Sequence, residues 1–578
     1  MRRFWGWAAI ASGLSLGGGA AMSAVAAPEP ELTFRASPVV DPATREIDAV
    51  DIAMTFRGEA DGTSMVAFPD EWGGFSGLYR YASHVRVEGA TMAAGAKPGE
   101  RLLTHQPGAT IRLTYRIARR IITDPLDEND RVNNYKPIVT SEYFHLLGPT
   151  YIARPGHLED SKAVRIEFGA VPDGMTLASD LQHVAPGALA DFQALIDSVI
   201  VGGDFRLLDT GDGARVAIRG SFKSRTDAGW LAALRLVART ARDYWGDGDF
   251  PYLVTIMASP QQPHGKQNGG TGLGDAFAFF ATEDSDPLVI DDTMMHEMTH
   301  SWITNRVGRL ALTGGREAEQ YWLSEGFTDF VKMRLMVRAG LWDAPAFAAA
   351  FNRMQSELAL SPFVATPNLE AAPQFWTDRN GQRLPYLRGA LFAMLADQML
   401  RQRSGGRASM DNLLRGMETR AAAGDPGDAI ALFRAGLTAR GVRADALIAH
   451  HIDRGEPIML AADGFAPCGK LEQRSVPVWT PGFAASALRS DMRTIDGVDK
   501  GGPAWKAGLR DGMRALGWSI YTNDAGKEIE ISVDDGGKRR DIKYLPVGDR
   551  QVHYQELVLR PSPGETERGL CLRRLGGL

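Results

Sequence analysis

The period of the hydrophobic pattern changes twice along the chain, near Thr226 and near Gly455, so no single sheet or helical bundle can accommodate the whole sequence. Before the first change the period is two. Ile111, Leu113, Tyr115 and Ile117 alternate with Arg112, Thr114 and Arg116, and Val164, Ile166 and Phe168 alternate with Arg165 and Glu167. Such alternation buries one face of a strand and wets the other, so residues 28–225 are expected to form an all-β domain. Thr226 or Asp227 can cap the helix that follows, TDAGWLAALRLVARTARDYW, in which Leu231, Leu234, Ala238, Ala241 and Trp245 share one face. Helical patterns continue to about residue 455, which assigns a mostly helical domain to 226–460. Short strands and Gly-rich turns then return, in a third domain at 465–578. A chain of 578 residues has the length for roughly three or four domains, and the expected fold class is multidomain α+β.

The first residues, MRRFWGWAAIASGLSLGGGAAMSAVAAPEP, place two arginines before a weakly apolar run and small residues at Ala24 and Ala26. This is the pattern of a secretory signal peptide, assigned to residues 1–27, and it implies export and a periplasmic location. Its Gly and Ser content makes it a poor bilayer span, and no other stretch is apolar enough to anchor the chain in a membrane. A net charge of -6 without a basic run gives no support for nucleic-acid binding. Cys468 and Cys571 are the only cysteines. In an oxidising compartment they can pair and staple the C-terminal region; two free thiols are the alternative.

The stretch TMMHEMTHSW carries the chemistry. Asp286-Pro287 is an N-cap residue followed by proline at the first helical position, so a helix is expected through His296, Glu297 and His300. Residues four apart share a helix face, and two imidazoles so placed can grip one ion, with Glu297 beside the water that would complete its coordination. Met295, Met298 and Trp302 fall at core spacing and are read as packing residues. A third ligand decides whether this is a metal site. The extended motif with a third histidine fails, because Ile303 and Arg306 stand where glycine and histidine are needed. The segment YWLSEGFTDF offers Glu325 in an apolar helix, where an unpaired carboxylate is costly, though a capping or surface acid also fits. Asp329, one turn on, can accept the second N–H of a ligating histidine or sit in solvent. Glu317 and Glu319, among polar residues, read as solvated.

With 24 residues between His300 and Glu325, the pair of motifs HEMTH and WLSEGFT resembles the thermolysin-like gluzincins, in particular the glycyl aminopeptidase family. The resemblance implies a β domain, a thermolysin-like catalytic domain and a C-terminal PDZ domain. It implies one Zn²⁺ per chain, held by His296, His300 and Glu325, and peptide or protein substrates. Glu297 is then the general base of zinc-dependent peptide hydrolysis, acting on small N-terminal residues as an aminopeptidase. PYLRG resembles the Tyr-x-Lys/Arg-Gly motif of such enzymes, which implies that Tyr386 stabilises the tetrahedral intermediate. Gly269, Gly270, Thr271 and Gly272 fall where the family places its substrate-binding edge strand. That strand lacks the glutamate with which many relatives hold a substrate amine, so a PDZ-regulated endopeptidase stays open. IDGVDKGGPAWKAGLRDGMRALG resembles the bacterial PDZ pattern, with Thr480–Phe483 as a candidate loop for a peptide C-terminus. A purely structural role for that domain, and a non-catalytic peptide-binding scaffold for the whole chain, are the remaining alternatives.

Overall fold

In this computed structural model the described residues are 29–119, 135–184, 188–248, 251–259, 268–310, 317–484, 494–521, 524–561 and 564–578. The expected signal segment lies outside them. The N-terminal domain is built on a six-stranded sheet. Its centre is formed by Leu32–Val40, Ile47–Arg57 and Thr110–Ala118, paired antiparallel in that order. Register places Leu32, Phe56 and Ile111 in one row and Phe34, Met54 and Leu113 in the next, all buried on one face. Each such side chain contributes roughly 1.5 to 3 kcal/mol by burial, which fixes the register, since a one-residue slip would turn the whole set to solvent.

A second sheet of five strands runs Arg206–Asp209, Ala214–Arg219, Tyr252–Ser259, Ala276–Thr282 and Asn268–Leu273. Its first two strands fall inside the range 28–225 that the sequence pattern assigned to the N-terminal domain. Ala214–Arg219 pairs in parallel with Tyr252–Ser259, and the helix Asp227–Trp245 is the crossover between them. The change of period at Thr226 therefore marks the start of a helix, which Thr226 caps by accepting from Gly229 N, and the domain boundary lies before Arg206. One face of this sheet, with Val216, Ile218, Val254, Ile256, Phe277 and Phe279, packs on the helices. The other face, with Ala217, Leu253, Ala276 and Ala278, packs on Leu147, Val199 and Val201 from a four-stranded sheet of the N-terminal part.

Three helices matter for the site: the motif helix Pro287–Ile303, the glutamate helix Tyr321–Arg338 and the tyrosine helix Arg379–Ser404. Asp286 caps the motif helix by accepting from Leu288 N, with proline next. The glutamate and tyrosine helices meet at Gly326 and Gly389. A Cβ on Gly326 would lie 2.3 Å from Gly389 Cα, and one on Gly389 would lie 2.0 Å from Trp322 O. Among the described residues no helix is long and apolar enough to cross a membrane.

The C-terminal part also departs from its expected bounds of 465–578. Gly469–Trp479 and Val547–Leu559 form an antiparallel ribbon whose Leu471 and Leu557 belong to the core of the helical domain. Asn352 of the helix Ala344–Leu360 accepts from Leu557 N at 2.7 Å, and the last helix, Glu565–Leu575, buries Cys571 and Leu575 in the same core. Cys468 and Cys571 are joined as a disulfide. Between the arms of the ribbon sits a small unit with its own core, including Phe483, Ile495, Leu509, Ile531 and Val533. It contains the three-stranded sheet Arg514–Ser519, Ile529–Asp535 and Lys538–Tyr544 and the short helix Pro503–Lys506. Local strand patterning is the same in ribbon and insert, so only their partners separate the two.

Two outcomes follow from these contacts. Gly389→Ala should force the helix pair apart, costing about 1 to 3 kcal/mol as overpacking does, measurable by denaturant unfolding. Replacing Cys468 and Cys571 by serine should lower unfolding stability by about 2 to 5 kcal/mol; an unchanged denaturant midpoint would remove the bridge from the account.

Candidate metal centre

The motif helix presents His296 and His300 on the face toward the glutamate helix, while Met295, Met298 and Trp302 are at most 1% exposed on the core side. His296 Nε2 lies 3.1 Å from His300 Nε2, and each lies 3.3 Å from Glu325 Oε2. Donors bonded to zinc at roughly 2.0 to 2.1 Å in tetrahedral directions would be about 3.3 Å apart. The three residues therefore fit a zinc ion, and two imidazoles with one carboxylate are a donor set that zinc accepts.

The second nitrogen of each ring is engaged from outside. His296 Nδ1 donates to Asp329 Oδ1 at 2.9 Å, which turns its Nε2 toward the centre. Asp329 is in turn 3.1 Å from Lys332 Nζ, which also reaches Asp292 at 3.2 Å. His300 Nδ1 is 2.9 Å from Thr304 Oγ1 and 3.3 Å from Thr328 Oγ1. Burial opposes charge on all these groups, yet the imidazoles hold Glu325 below the usual carboxylate range, and Lys332 with His296 does the same to Asp329. Burial alone would depress His296; its hydrogen bonds with Asp329 and Glu325 raise it instead, to about 10.

Glu297 and Tyr386 flank the triad. Glu297 Oε2 accepts from Gly272 N at 2.7 Å, and burial raises its pKa while the two histidines pull it down. Tyr386 stands inside the tyrosine helix, its ring stacked on His296 at 5.8 Å between centroids and on Phe375 at 6.4 Å. Burial first, then the charges of Glu325 and Glu297, raise its pKa well above the ordinary value, so the phenol keeps its proton to donate. Two residues on, buried Arg388 donates to the carbonyls of Thr366 at 2.7 Å and Val364 at 2.9 Å, and pins the segment that leads to Phe375.

Gly269, Gly270, Thr271 and Gly272 lie on the edge strand of the five-stranded sheet, antiparallel to Ala276–Thr282 and beside the motif helix. Gly272 is the close approach: a Cβ there would be 2.8 Å from Glu297 Oε2. The structure thus brings together His296, Glu297, His300, Glu325, Asp329, Tyr386 and this strand. Two nearby groups escaped the sequence reading. Glu317 is half-buried rather than solvated; burial pushes it up to about 7, and it is hydrogen-bonded to Tyr321, whose ring packs on Phe375 at 4.2 Å. The spacing of four from Glu317 to Tyr321 to Glu325 was the available signal. Tyr135, whose hydroxyl donates to Gly270 O at 2.6 Å, comes from the N-terminal part and left no local signal.

Residues 290–378 match the M61 glycyl aminopeptidase family profile, a segment that contains both histidines, Glu297, Glu325 and Asp329. The fold is similar to that of an aminopeptidase N family protein from Idiomarina loihiensis, with a TM-score of 0.65 at 13% identity over 91% of this chain and 98% of that one. An M1 zinc metallopeptidase from Deinococcus radiodurans also matches, with a TM-score of 0.45 at 16% identity, over 74% of this chain and 94% of that one. No curated protein matches the chain in sequence. The matched segment and its convergent donors make the chain a metallopeptidase.

Because His296 is held protonated without a cation, zinc uptake at pH 7 should release at least one proton. Titration calorimetry in two buffers of different ionisation enthalpy reads this directly; a buffer-independent heat would contradict the ligand assignment.

Proposed function

We propose that this metallopeptidase is a zinc-dependent aminopeptidase that removes small residues from peptide N-termini. The observation that carries the reading is the triad of donors 3.1 to 3.3 Å apart, with a buried carboxylate and a protonated phenol beside it. His296, His300 and Glu325 would hold the zinc ion, which when bound would supply Lewis acidity toward the scissile carbonyl and water. Glu297, held by Gly272 N–H and raised by burial, takes the proton of the attacking water and delivers it to the leaving amine. Tyr386 donates to the oxygen on which negative charge develops, and His296 positions its ring by stacking. Asp329 keeps the Nδ1 proton of His296 in place and so keeps Nε2 free for the metal. The edge strand aligns the substrate main chain. The family match over 290–378 supports the aminopeptidase reading and its preference for small residues.

Two further features belong to the proposal. The signal-like residues 1–27 and the Cys468–Cys571 disulfide both support an exported, periplasmic enzyme, since such bridges persist in oxidising compartments. The insert between the ribbon arms is read as a PDZ-like module. Its three-stranded sheet, its short helix opening at Gly502-Pro503 and the left-handed Gly482 beside Phe483 support that reading.

The decisive test measures bound zinc and peptide hydrolysis together. Glu297→Gln should retain zinc and lose about 10²- to 10⁴-fold in kcat, and Tyr386→Phe should lose about 10²- to 10³-fold. Equal activity of Glu297→Gln and the unmodified protein would sink the mechanism. Free peptides should be cut and N-acylated ones spared; the reverse preference would make the enzyme an endopeptidase.

A further inference from the structure

The open side of the edge strand is already half used by the protein itself. In an extended strand the N–H and C=O of one residue point the same way, alternating from residue to residue. Gly272 N–H is bonded to Glu297 and Gly270 C=O to Tyr135, so both residues turn their main-chain groups away from Ala276–Thr282. What they leave for an incoming chain is the N–H of Gly270 and the C=O of Gly272, which takes only a long 3.4 Å contact from the neighbouring Thr271 Oγ1 and has a second lone pair to offer. An antiparallel partner makes a complete two-bond pair only where one residue offers both groups, and neither glycine does. A parallel partner would bridge Gly270 C=O and Gly272 N–H, the two groups already taken.

Tyr135 is seated for this task. A Cβ on Gly73, which is left-handed at φ 57°, would lie 3.0 Å from the Tyr135 ring, so only glycine lets the ring pack there. Trp376, half exposed beside Phe375, closes over neighbouring Gly74, where a Cβ would be 3.6 Å from its ring. The hydroxyl at 2.6 Å stands where a neighbouring strand's N–H would approach.

We propose that Tyr135 is a specificity-determining residue that blocks the Gly270 carbonyl and limits a bound peptide at these residues to two main-chain hydrogen bonds. The cleft then grips a short stretch next to the reacting bond and gains nothing from added chain length. This rests on the peptidase reading above and adds to it the reason why length is not rewarded.

The test compares peptides of increasing length, from dipeptide upward, in the unmodified protein and Tyr135→Phe, which keeps the ring and removes the hydroxyl. The unmodified enzyme should show kcat/KM nearly independent of length beyond the shortest good substrate. Tyr135→Phe should gain roughly fivefold for peptides long enough to reach Gly270 C=O, the worth of one main-chain hydrogen bond. Calorimetry of the same peptides with zinc-loaded Glu297→Gln, with and without Tyr135→Phe, reads this preference in binding alone. A length preference that appears there while the unmodified protein cuts no peptide supports the block and overturns the peptidase reading. The same length dependence with and without the hydroxyl overturns the block. A steep rise of kcat/KM with length in the unmodified enzyme overturns it too, even if the variant does not fold.

Discussion

The backbone contact between Gly326 and Gly389 sets the distance on which the candidate metal centre depends. Each glycine sits within a helix, where it costs about 1 kcal/mol relative to alanine, and neither tolerates a Cβ at the observed separation. Glu325 directly precedes the first glycine, and Tyr386 stands one turn before the second. The approach of the two backbones therefore brings carboxylate and phenol to the same histidine. The offsetting stabilisation lies in the surrounding core, where Trp322 meets Phe327, Phe392 and Phe433 edge to face. Arg334 of the glutamate helix also bridges to Asp397 of the tyrosine helix at 2.8 Å.

Charge balance distinguishes this site from the other buried ionic cluster. Around Asp397 and Asp411, Arg334, Arg401 and Arg574 supply as much positive charge as the acids require, and Tyr244 donates a further hydrogen bond to Asp411 at 2.6 Å. That cluster is not short of positive charge, and it ties helices together. At the triad, Glu297, Glu325 and Asp329 are all withdrawn from bulk water, and among the described residues Lys332 is the fixed cation that touches them, through Asp329. Buried carboxylates are expensive unless paired, and here the histidines must share protons to pair them. A divalent cation would relieve that shortage, while the arginine cluster has no use for one.

Much of the motif helix was legible because its constraints are local. The spacing of His296 and His300, the cap at Asp286-Pro287 and the core positions Met295, Met298 and Trp302 all follow from one helical period. Glu325 stood out because its neighbours are apolar. What could not be read was pairing at long range. Ala214–Arg219 carries the same alternation whether it joins the sheet before it or the one after it, and its parallel partner arrives only after a helix. The ribbon at Gly469–Trp479 likewise finds its partner at Val547–Leu559, beyond the inserted unit. Glu317 was misread for a related reason: its polar neighbours suggested solvent, but the fold places it against Tyr321.

The N-terminal domain is consequently part of the active centre rather than an appendage to it. Its four-stranded sheet packs behind the five-stranded one through Leu147, Val199, Val201, Leu253, Ala276 and Ala278, while the helices that carry the ligands pack in front. The middle sheet is thus clamped on both faces, and its edge strand, rich in glycine and weak in side-chain packing, inherits its position from that clamp. Glu297 is held by that strand through Gly272, and the strand is held at Gly270 by a tyrosine of the N-terminal part. The line of hydrogen bonds from Tyr135 through the strand to Glu297 crosses from one domain to the next. A carboxylate positioned in this way depends on both domains being folded, even though each proposed metal ligand comes from one of them.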